Sequence, residues 1–347
     1  MVRALRAGGI VIDDSAPHPP APHRAPHRAL TRLAYLFTLV TVGVFASGQL
    51  LGGMTEALIS PWPAPLCTAL ALAVVGLVAL RRRWPAAAAA LVLAWALVVW
   101  AAPLLARPVG DPVAAQGAGP ERRLRIIEAN VNSATRPDPR LIDWMRAAKP
   151  DVLVVIECSN DWLQALADAL PDMPHRKAHA QDDPGGIALF SRHSLRSAVV
   201  ADTPAEGFMH IEAVVETAVG PVRVFAMHTV PPITPRLTRM RNAELEWLAA
   251  RVAQAQGETV LAVGDLNETP WGTPYARLLR TSGLHSASDA PGLHGTWHRA
   301  MPSVLRIPID HCLVSSDVTS VGFSVGPQSA SDHLPIQVDL VLPHPKP

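Results

Sequence analysis

The 347-residue chain predicts a layered domain of mixed α/β or α+β class preceded by three transmembrane helices. Three observations carry this. Residues 33–55, 57–80 and 84–106 contain no charged side chain and are each 23 or 24 residues long, enough to cross a bilayer core of about 30 Å. Beyond residue 123, short apolar runs that read as buried strands alternate with segments of helical spacing. Several of those runs end at a carboxylate, an amide or an imidazole.

Residues 1–28 come first and read as a disordered cytoplasmic tail. The repeat Ala21-Pro-His-Arg24, Ala25-Pro-His-Arg28 and the dense proline around it exclude regular structure there. His18, His23 and His27 read as solvated side chains of this tract rather than as a metal site. Arg24, Arg28 and Arg32 precede the first span, the connection near residues 53–63 carries Glu56 and no Lys or Arg, and Arg81, Arg82 and Arg83 separate the second span from the third. Positive charge favours the cytoplasmic side, which places the N-terminus and the triple Arg there. Three crossings then put everything after Ala106 outside, with Arg107 as a single opposing charge. Two other readings compete: three buried helices of a soluble domain, and a cleavable signal peptide at the first stretch, where Val44-Phe-Ala46 suits a peptidase. Residues 107–123, with Gly110, Pro112, Gly117, Gly119 and Pro120, read as a linker.

The domain at 124–342 follows. Strands are expected at Leu124–Val131 and Val152–Ile156, with a helix between them at Asp138–Ala148 that places Leu141, Ile142 and Met145 on one face. A helix at Asp161–Leu170 precedes strands at Gly186–Phe190, Ser197–Val200, His210–Val215 and Val222–Met227. The longest amphipathic helix, Arg239–Ala255, turns Leu245, Leu248 and Val252 inward. A strand at Thr259–Val263, a helix at Thr273–Leu279, and strands at Ile309–Val314, Val318–Val325 and Ile336–Leu340 complete the pattern.

The net charge of +1 hides a split. Residues 1–120 hold nine Lys and Arg against four Asp and Glu, whereas residues 121–347 hold 21 against 25. The outer domain therefore lacks the basic footprint of a tight nucleic-acid binder. Of the three cysteines, Cys67 falls in the second span as packing. Cys158 and Cys312 are either a disulfide permitted outside the cytoplasm or two buried free thiols.

Glu157 closes the run Val152–Ile156. A carboxylate at the mouth of a buried strand suits Mg²⁺, which takes one or two carboxylates; the alternative is a surface Glu. In Gly264-Asp265-Leu-Asn267, Asp and Asn two apart on an extended segment face the same side. The Asp is suited to orient or deprotonate a water and the Asn to hold a phosphoryl oxygen, unless the segment is only an Asx turn before Pro270. Asp310-His311 and Asp332-His333 are two acid–imidazole pairs beside apolar strands, and a charged imidazole stabilises a phosphoryl transition state. His228 ends another strand, as a proton donor to a leaving oxygen, a group that holds a non-bridging oxygen, or a capped core histidine. Arg236, Arg239 and Arg241 are candidates for a phosphate contact or a solvated helix start. Trp271 and Trp297 are either an apolar wall for a base or lipid, or core.

In this order, Asn130, Glu157, His228, Gly-Asp265-Leu-Asn267, Ile-Pro-Ile-Asp310-His and Ser-Asp332-His333-Leu-Pro resemble the endonuclease/exonuclease/phosphatase family, the DNase I-like fold, over residues 122–342. Gly186-Ile-Ala-Leu-Phe-Ser-Arg192 resembles the family's central strand, and fusion to N-terminal spans resembles its bacterial membrane-linked branch. The resemblance implies a four-layer sandwich, two packed β-sheets flanked by helices, with the site at one edge. It implies Mg²⁺ or Mn²⁺ on Glu157 with Asn130 and Asp332 close by, and Asp265 activating water. It further implies Asn267 positioning the phosphate, His333 paired with Asp310, and His228 at the phosphate or leaving group. Arg236, Arg239 and Trp297 are the candidates for substrate contact. Ile156 stands where many members have Gln, and the DNA-binding loops of several nuclease members have no counterpart here.

The expected protein is a membrane-anchored, multi-pass, divalent-metal-dependent phosphoesterase with an extracytoplasmic catalytic domain. It acts on a phosphodiester, either nucleic acid or a phospholipid head group. It meets the lipid bilayer through its three N-terminal helices, and no protein partner is inferred. A non-catalytic adaptor that keeps the fold is the alternative, opposed by the complete polar set. A small transporter is opposed by the lack of charge inside the spans.

Overall fold

The structure, a computed structural model, describes residues 25–51, 53, 63–104, 117–289 and 292–344. The tail up to residue 24 and the linker at 107–116 lie outside the described residues. Helices α1 (Ala25–Leu51), α2 (Pro63–Ala79) and α3 (Arg83–Leu104) occupy the three charge-free stretches. Helix α1 begins inside the expected tail: the second copy of the repeat, Ala25-Pro-His-Arg28, is helical, as a proline in the first turn permits. Leu70, Leu77, Ala89 and Ala96 are buried where these helices pack. Among the described residues no helix is long and apolar enough to cross a membrane. Pro63–Ala79 has 17 residues, which rise about 26 Å at 1.5 Å each, and the expected spans run on at 54–55, 57–62 and 105–106 into residues outside those described.

Residues 123–341 form two six-stranded sheets. One has the order β11 (Thr319–Val325), β12 (Ile336–Val341), β1 (Arg123–Asn130), β2 (Val152–Ile156), β4 (Ile187–Ser191) and β3 (His175–His179). The other has the order β5 (Leu195–Ala201), β6 (His210–Thr217), β7 (Gly220–His228), β8 (Thr259–Asp265), β10 (Asp310–Val314) and β9 (His285–Ser286). Helices α4 (Pro139–Ala148) and α5 (Asn160–Ala169) share a core with the first sheet, and α6 (Pro235–Gln254) and α7 (Thr273–Ser282) share one with the second. The layers are therefore helix, sheet, sheet, helix. Both faces of the central strands are covered, which is why β2 reads Val-Leu-Val-Val-Ile with every residue buried. Each such side chain contributes about 1.5–3 kcal/mol on burial.

Strand parity organises the interior. Leu124, Ile126, Val152, Val154 and Ile156 face the second sheet, where Val222, Val224, Ala226, Leu261, Val263, Cys312 and Val314 meet them. Ile127, Leu153 and Val155 face α4 and α5 instead. Cys158 and Cys312 are buried free thiols, so of the two sequence readings the structure has the unpaired one; burial pushes both up to about 12.

Two elements carried no sequence signal. β3, His-Arg-Lys-Ala-His, is a polar edge strand, and β9 has two residues. Helix α6 starts four residues before the expected Arg239, because the Thr234 hydroxyl accepts from Leu237 N at 3.2 Å and Pro235 holds the first helical position.

Gly264 joins the sheet to the polar edge. Its φ is +147°, and a β-carbon there would lie 1.8 Å from the Met227 carbonyl oxygen of the neighbouring parallel strand. Gly264→Ala is expected to destabilise the domain by about 3 kcal/mol or more. Chemical denaturation checks this, and a loss under about 1 kcal/mol contradicts the close approach.

Candidate active site

β1 and β2 run parallel, with Asn130 beside Ile156; β7 and β8 run parallel, with His228 beside Asp265; β10 runs antiparallel, with Asp310 beside Asp265. The ends of β1, β2, β7 and β8 and the start of β10 therefore share one edge of the sandwich. Parity continues the inner apolar rows into Asn130, His228, Asp265 and Asp310. The loop before β12 adds Asp332 and His333.

Asp265 lies at the centre. Its Oδ1 accepts from Asn267 N at 2.9 Å, and its Oδ2 accepts from Asn130 Nδ2 at 3.2 Å. His228 Nε2 and His333 Nε2 stand 3.8 and 3.7 Å from the same Oδ2. Burial, reinforced by the charge of Asp310, pushes the Asp265 carboxyl up to about 7. His333 is the positive partner. Burial works against its charge, but Asp310 and Asp265 outweigh it and push the imidazole up to about 10. Its Nδ1 bonds to Asp310 at 3.0 Å, which fixes the ring and leaves Nε2 toward Asp265.

His228 is held from behind by backbone and by an aromatic ring. Nδ1 donates to Pro184 O at 2.9 Å, and Phe208 stacks on the ring at 4.6 Å. Burial pushes its pKa down to about 3. The neutral ring presents an unprotonated Nε2, so it faces the site as an acceptor.

Glu157 adopts φ +57° and Asn267 φ +44°, left-handed conformations that non-glycine residues seldom take and that concentrate at functional sites. The turn after β2 brings Glu157 Oε1 within 3.0 Å of Asn130 Nδ2 and Oε2 within 3.3 Å of Ser133 N. Asn130 thus brackets two carboxylates, while its Oδ1 accepts from Asn132 N at 3.0 Å. Asp332 accepts from Asn132 Nδ2 at 2.8 Å and from Trp297 Nε1 at 2.9 Å. Burial opposes its ionisation, but those hydrogen bonds and the His333 charge hold it below the ordinary carboxylate value. The Gly-Asp-Leu-Asn segment is not extended through Asn267. The Asx turn and the site coexist, with Asn267 Nδ2 spending one hydrogen on Thr229 O at 2.8 Å.

Glu157, His228, Asp265, Asn267, Asp332, His333 and Trp297 line one cleft of about 450 Å³, with Asp310 behind His333. Arg236 and Arg239 are exposed on α6 and do not line it. Arg241, expected with them at a phosphate or in solvent, is buried. It pairs with Glu268 at 3.0 Å and donates to Asn267 O at 2.6 Å, holding the loop that carries Asn267. Sequence reasoning also passed over Glu128. It occupies an inner-face position of β1, two residues before Asn130, and both its carboxyl oxygens are buried without a hydrogen-bond partner. Burial, then Asp310 and Asp265, push its pKa well above the ordinary value. Parity was the available signal, since a Glu in that row points into the core.

Asp265, Asp310 and His333 form an acidic and imidazole cluster whose ligand atoms lie within 4.8 Å of one another. Glu157 and Asp332 add carboxylates to the cleft it borders. The crowding that raises Asp265, together with the orphaned Glu128, is relieved by added positive charge. Oxygen-rich donors of this kind fit a hard divalent cation.

Residues 127–333 match the model of the endonuclease/exonuclease/phosphatase family. No curated protein matches the chain. Among solved structures, an endonuclease/exonuclease/phosphatase from Beutenbergia cavernae is 23% identical with a TM-score of 0.54, covering 65% of this chain and 72% of its own. TDP2 from D. rerio, complexed with single strand DNA product, is 16% identical with a TM-score of 0.54, covering 63% and 98%. An endonuclease/exonuclease/phosphatase family protein from Bacteroides thetaiotaomicron is 16% identical with a TM-score of 0.51, covering 63% and 98%. At these identities the likeness is one of fold.

The depressed His228 has a thermodynamic signature. Between about pH 3 and 6.5 the unfolded chain takes up a proton there that the fold refuses, so this residue makes stability rise with pH across that window. His228→Gln is expected to reduce the slope by up to about 1.4 kcal/mol per pH unit. Denaturation in EDTA at pH 4.5, 5.5 and 6.5 measures it, and an unchanged slope removes the neutral-imidazole assignment.

Proposed function

The chain belongs to the endonuclease/exonuclease/phosphatase family, and from that premise we propose that it is a membrane-anchored, divalent-metal-dependent hydrolase of phosphate esters. The family is generally hydrolytic on such esters and its enzymes are typically divalent-metal dependent. The observation that carries the reading is the Asp265 carboxylate, held by Asn130 and Asn267 and flanked by two imidazoles in a carboxylate-lined cleft. A carboxylate fixed in this way is placed to orient a water and remove its proton.

Asp265 orients a water and accepts its proton as the oxygen attacks phosphorus and the ester P–O bond breaks, the leaving oxygen departing with the bonding pair and taking a proton from solvent. The His333 imidazolium, fixed by Asp310, meets the charge that develops on the phosphoryl oxygens. The second amide hydrogen of Asn267 is available to a phosphoryl oxygen, and neutral His228 offers Nε2 to a water or hydroxyl proton. Glu157 and Asp332, with Asn130 bracketing Glu157, would hold Mg²⁺ or Mn²⁺. When bound, the cation neutralises phosphoryl charge and polarises the ester.

Membrane anchoring rests on the three N-terminal helices. Leu39, Val75 and Leu91 are 68%, 65% and 74% exposed, and helices apolar all round need an apolar surrounding. Thr38 and Thr41, buried among the helices, return their hydroxyls to Ala34 O and Phe37 O at 2.7 and 2.8 Å, so neither is left unsatisfied in apolar surroundings. The charge asymmetry orients the domain outward. Nucleic acid and phospholipid head groups are the candidate substrates.

With the purified full chain, hydrolysis of a generic nitrophenyl phosphodiester is expected with Mg²⁺ or Mn²⁺ and not in EDTA. Asp265→Asn and His333→Ala are each expected to lower kcat by about 10²-fold or more. Glu157→Gln is expected to weaken cation binding in calorimetry at least tenfold. Full activity in all three variants would remove the site assignment.

A further inference from the structure

One wall of the cleft has no part in the chemistry above. Pro231, Pro232 and Ile233 follow the strand that ends at His228, and Ile307 and Ile309 stand in the segment before Asp310; all five line the same cleft as the carboxylates. Ile307 and Ile309 are buried, whereas Ile233 is 69% exposed, an apolar side chain left in water at the rim. Among the described residues, no Lys or Arg lines the cleft. We propose that this wall binds an aliphatic group attached to the substrate's phosphate, so that the enzyme's substrates are lipid phosphate esters. The inference rests on the hydrolase reading and deepens it.

The chemistry of the wall favours an alkyl chain over a nucleotide. A strand of nucleic acid brings flanking phosphates that call for Lys and Arg, and its bases call for open aromatic faces on which to stack. Here Phe208 is stacked on His228, and Trp297 gives its ring N–H to Asp332, so it has no donor left for a base edge. Pro231 and Pro232 have no backbone N–H, and the isoleucine side chains offer no donor or acceptor to a base edge. An alkyl chain asks for none of these. It gains from each methylene it buries, and it covers Ile233 at the rim, where an apolar side chain beside a binding cleft marks a contact surface.

The test uses the full chain and soluble p-nitrophenyl alkyl phosphates from methyl to octyl, all below their micelle thresholds. The leaving group is constant, so only the chain changes. kcat/KM is expected to rise about two- to fourfold per methylene over the first few carbons. Ile233→Asp is expected to lower kcat/KM for the octyl ester at least tenfold more than for the methyl ester. Val199→Asp, on exposed β5 away from the cleft, is expected to change neither. Turnover of all esters with no dependence on chain length, or an oligonucleotide preferred over the octyl ester, overturns the inference and leaves the hydrolase reading standing. If no ester is turned over in any metal, the hydrolase reading fails and the substrate assignment with it, and calorimetry with octylphosphonate and methylphosphonate decides separately whether the wall binds an alkyl chain. Tighter binding of the octyl compound, weakened by Ile233→Asp, supports it; equal binding overturns it.

Discussion

The two-residue period of the strands is the constraint on which the structure depends. Glu128 apart, the inner-facing positions of β1, β7, β8 and β10 are apolar in mid-strand and turn polar at one end, at Asn130, His228, Asp265 and Asp310. A slip of one residue in any of these strands would turn its apolar row to the wrong face and withdraw its polar end from the cleft. Packing and chemistry therefore select the same register. The close approach of Gly264 to the Met227 carbonyl reinforces it where β7 and β8 meet. Glu128 is the exception that tests the rule. It is a carboxyl in the apolar row with no partner, held next to Asp310 and Asp265 by the same parity that places Asn130.

Charge then dictates how the edge is held. Burying several carboxylates together is costly unless they are paired or hydrogen-bonded. The structure meets this with directed donors: Asn130 to Glu157 and Asp265, Asn132 and Trp297 to Asp332, His333 to Asp310. One imidazolium answers two aspartates, and the negative charge left over is what makes the cleft receptive to a cation. Beneath the Asp265–Asn267 turn, the buried Arg241–Glu268 pair fixes the backbone that carries Asn267. The polar groups are thus oriented before substrate arrives, and preorganised dipoles of this kind act without reorganising during reaction.

Much of this was legible in the sequence. Buried strands announce themselves as apolar runs, and Glu157 and Asp265 are readable because each follows one closely. Their order along the chain carried the family. Other features left weaker traces. β3 is held by pairing with β4 and has no apolar face to advertise it. Arg241 resembles its exposed neighbours Arg236 and Arg239, and only the helix rotation against the Asn267 loop buries it. The tautomer of His228 is fixed by Pro184, 44 residues away, a contact no local pattern encodes. The apolar wall joins Pro231–Ile233 to Ile307 and Ile309 across the site, so its two halves look like unrelated loop residues until the sheets bring them together.

The weak basic character of residues 121–347 acquires a reason from the proposed membrane reading. An enzyme that draws a charged polymer from solution relies on a positive field around its cleft, and that attraction fades with salt. An enzyme held at a bilayer meets a lipid ester already concentrated by partitioning, so recruitment needs no such field. Positive charge is then useful only at the reacting phosphate, where His333 and a bound cation supply it. A basic rim would add affinity for nucleic acid without helping a lipid ester reach the carboxylates. The acidic balance of residues 121–347, the arginine-free cleft and the exposed Ile233 are consistent with one another on this view. On the proposed reading, specificity comes from an apolar wall that rewards a chain and leaves a base edge unpaired.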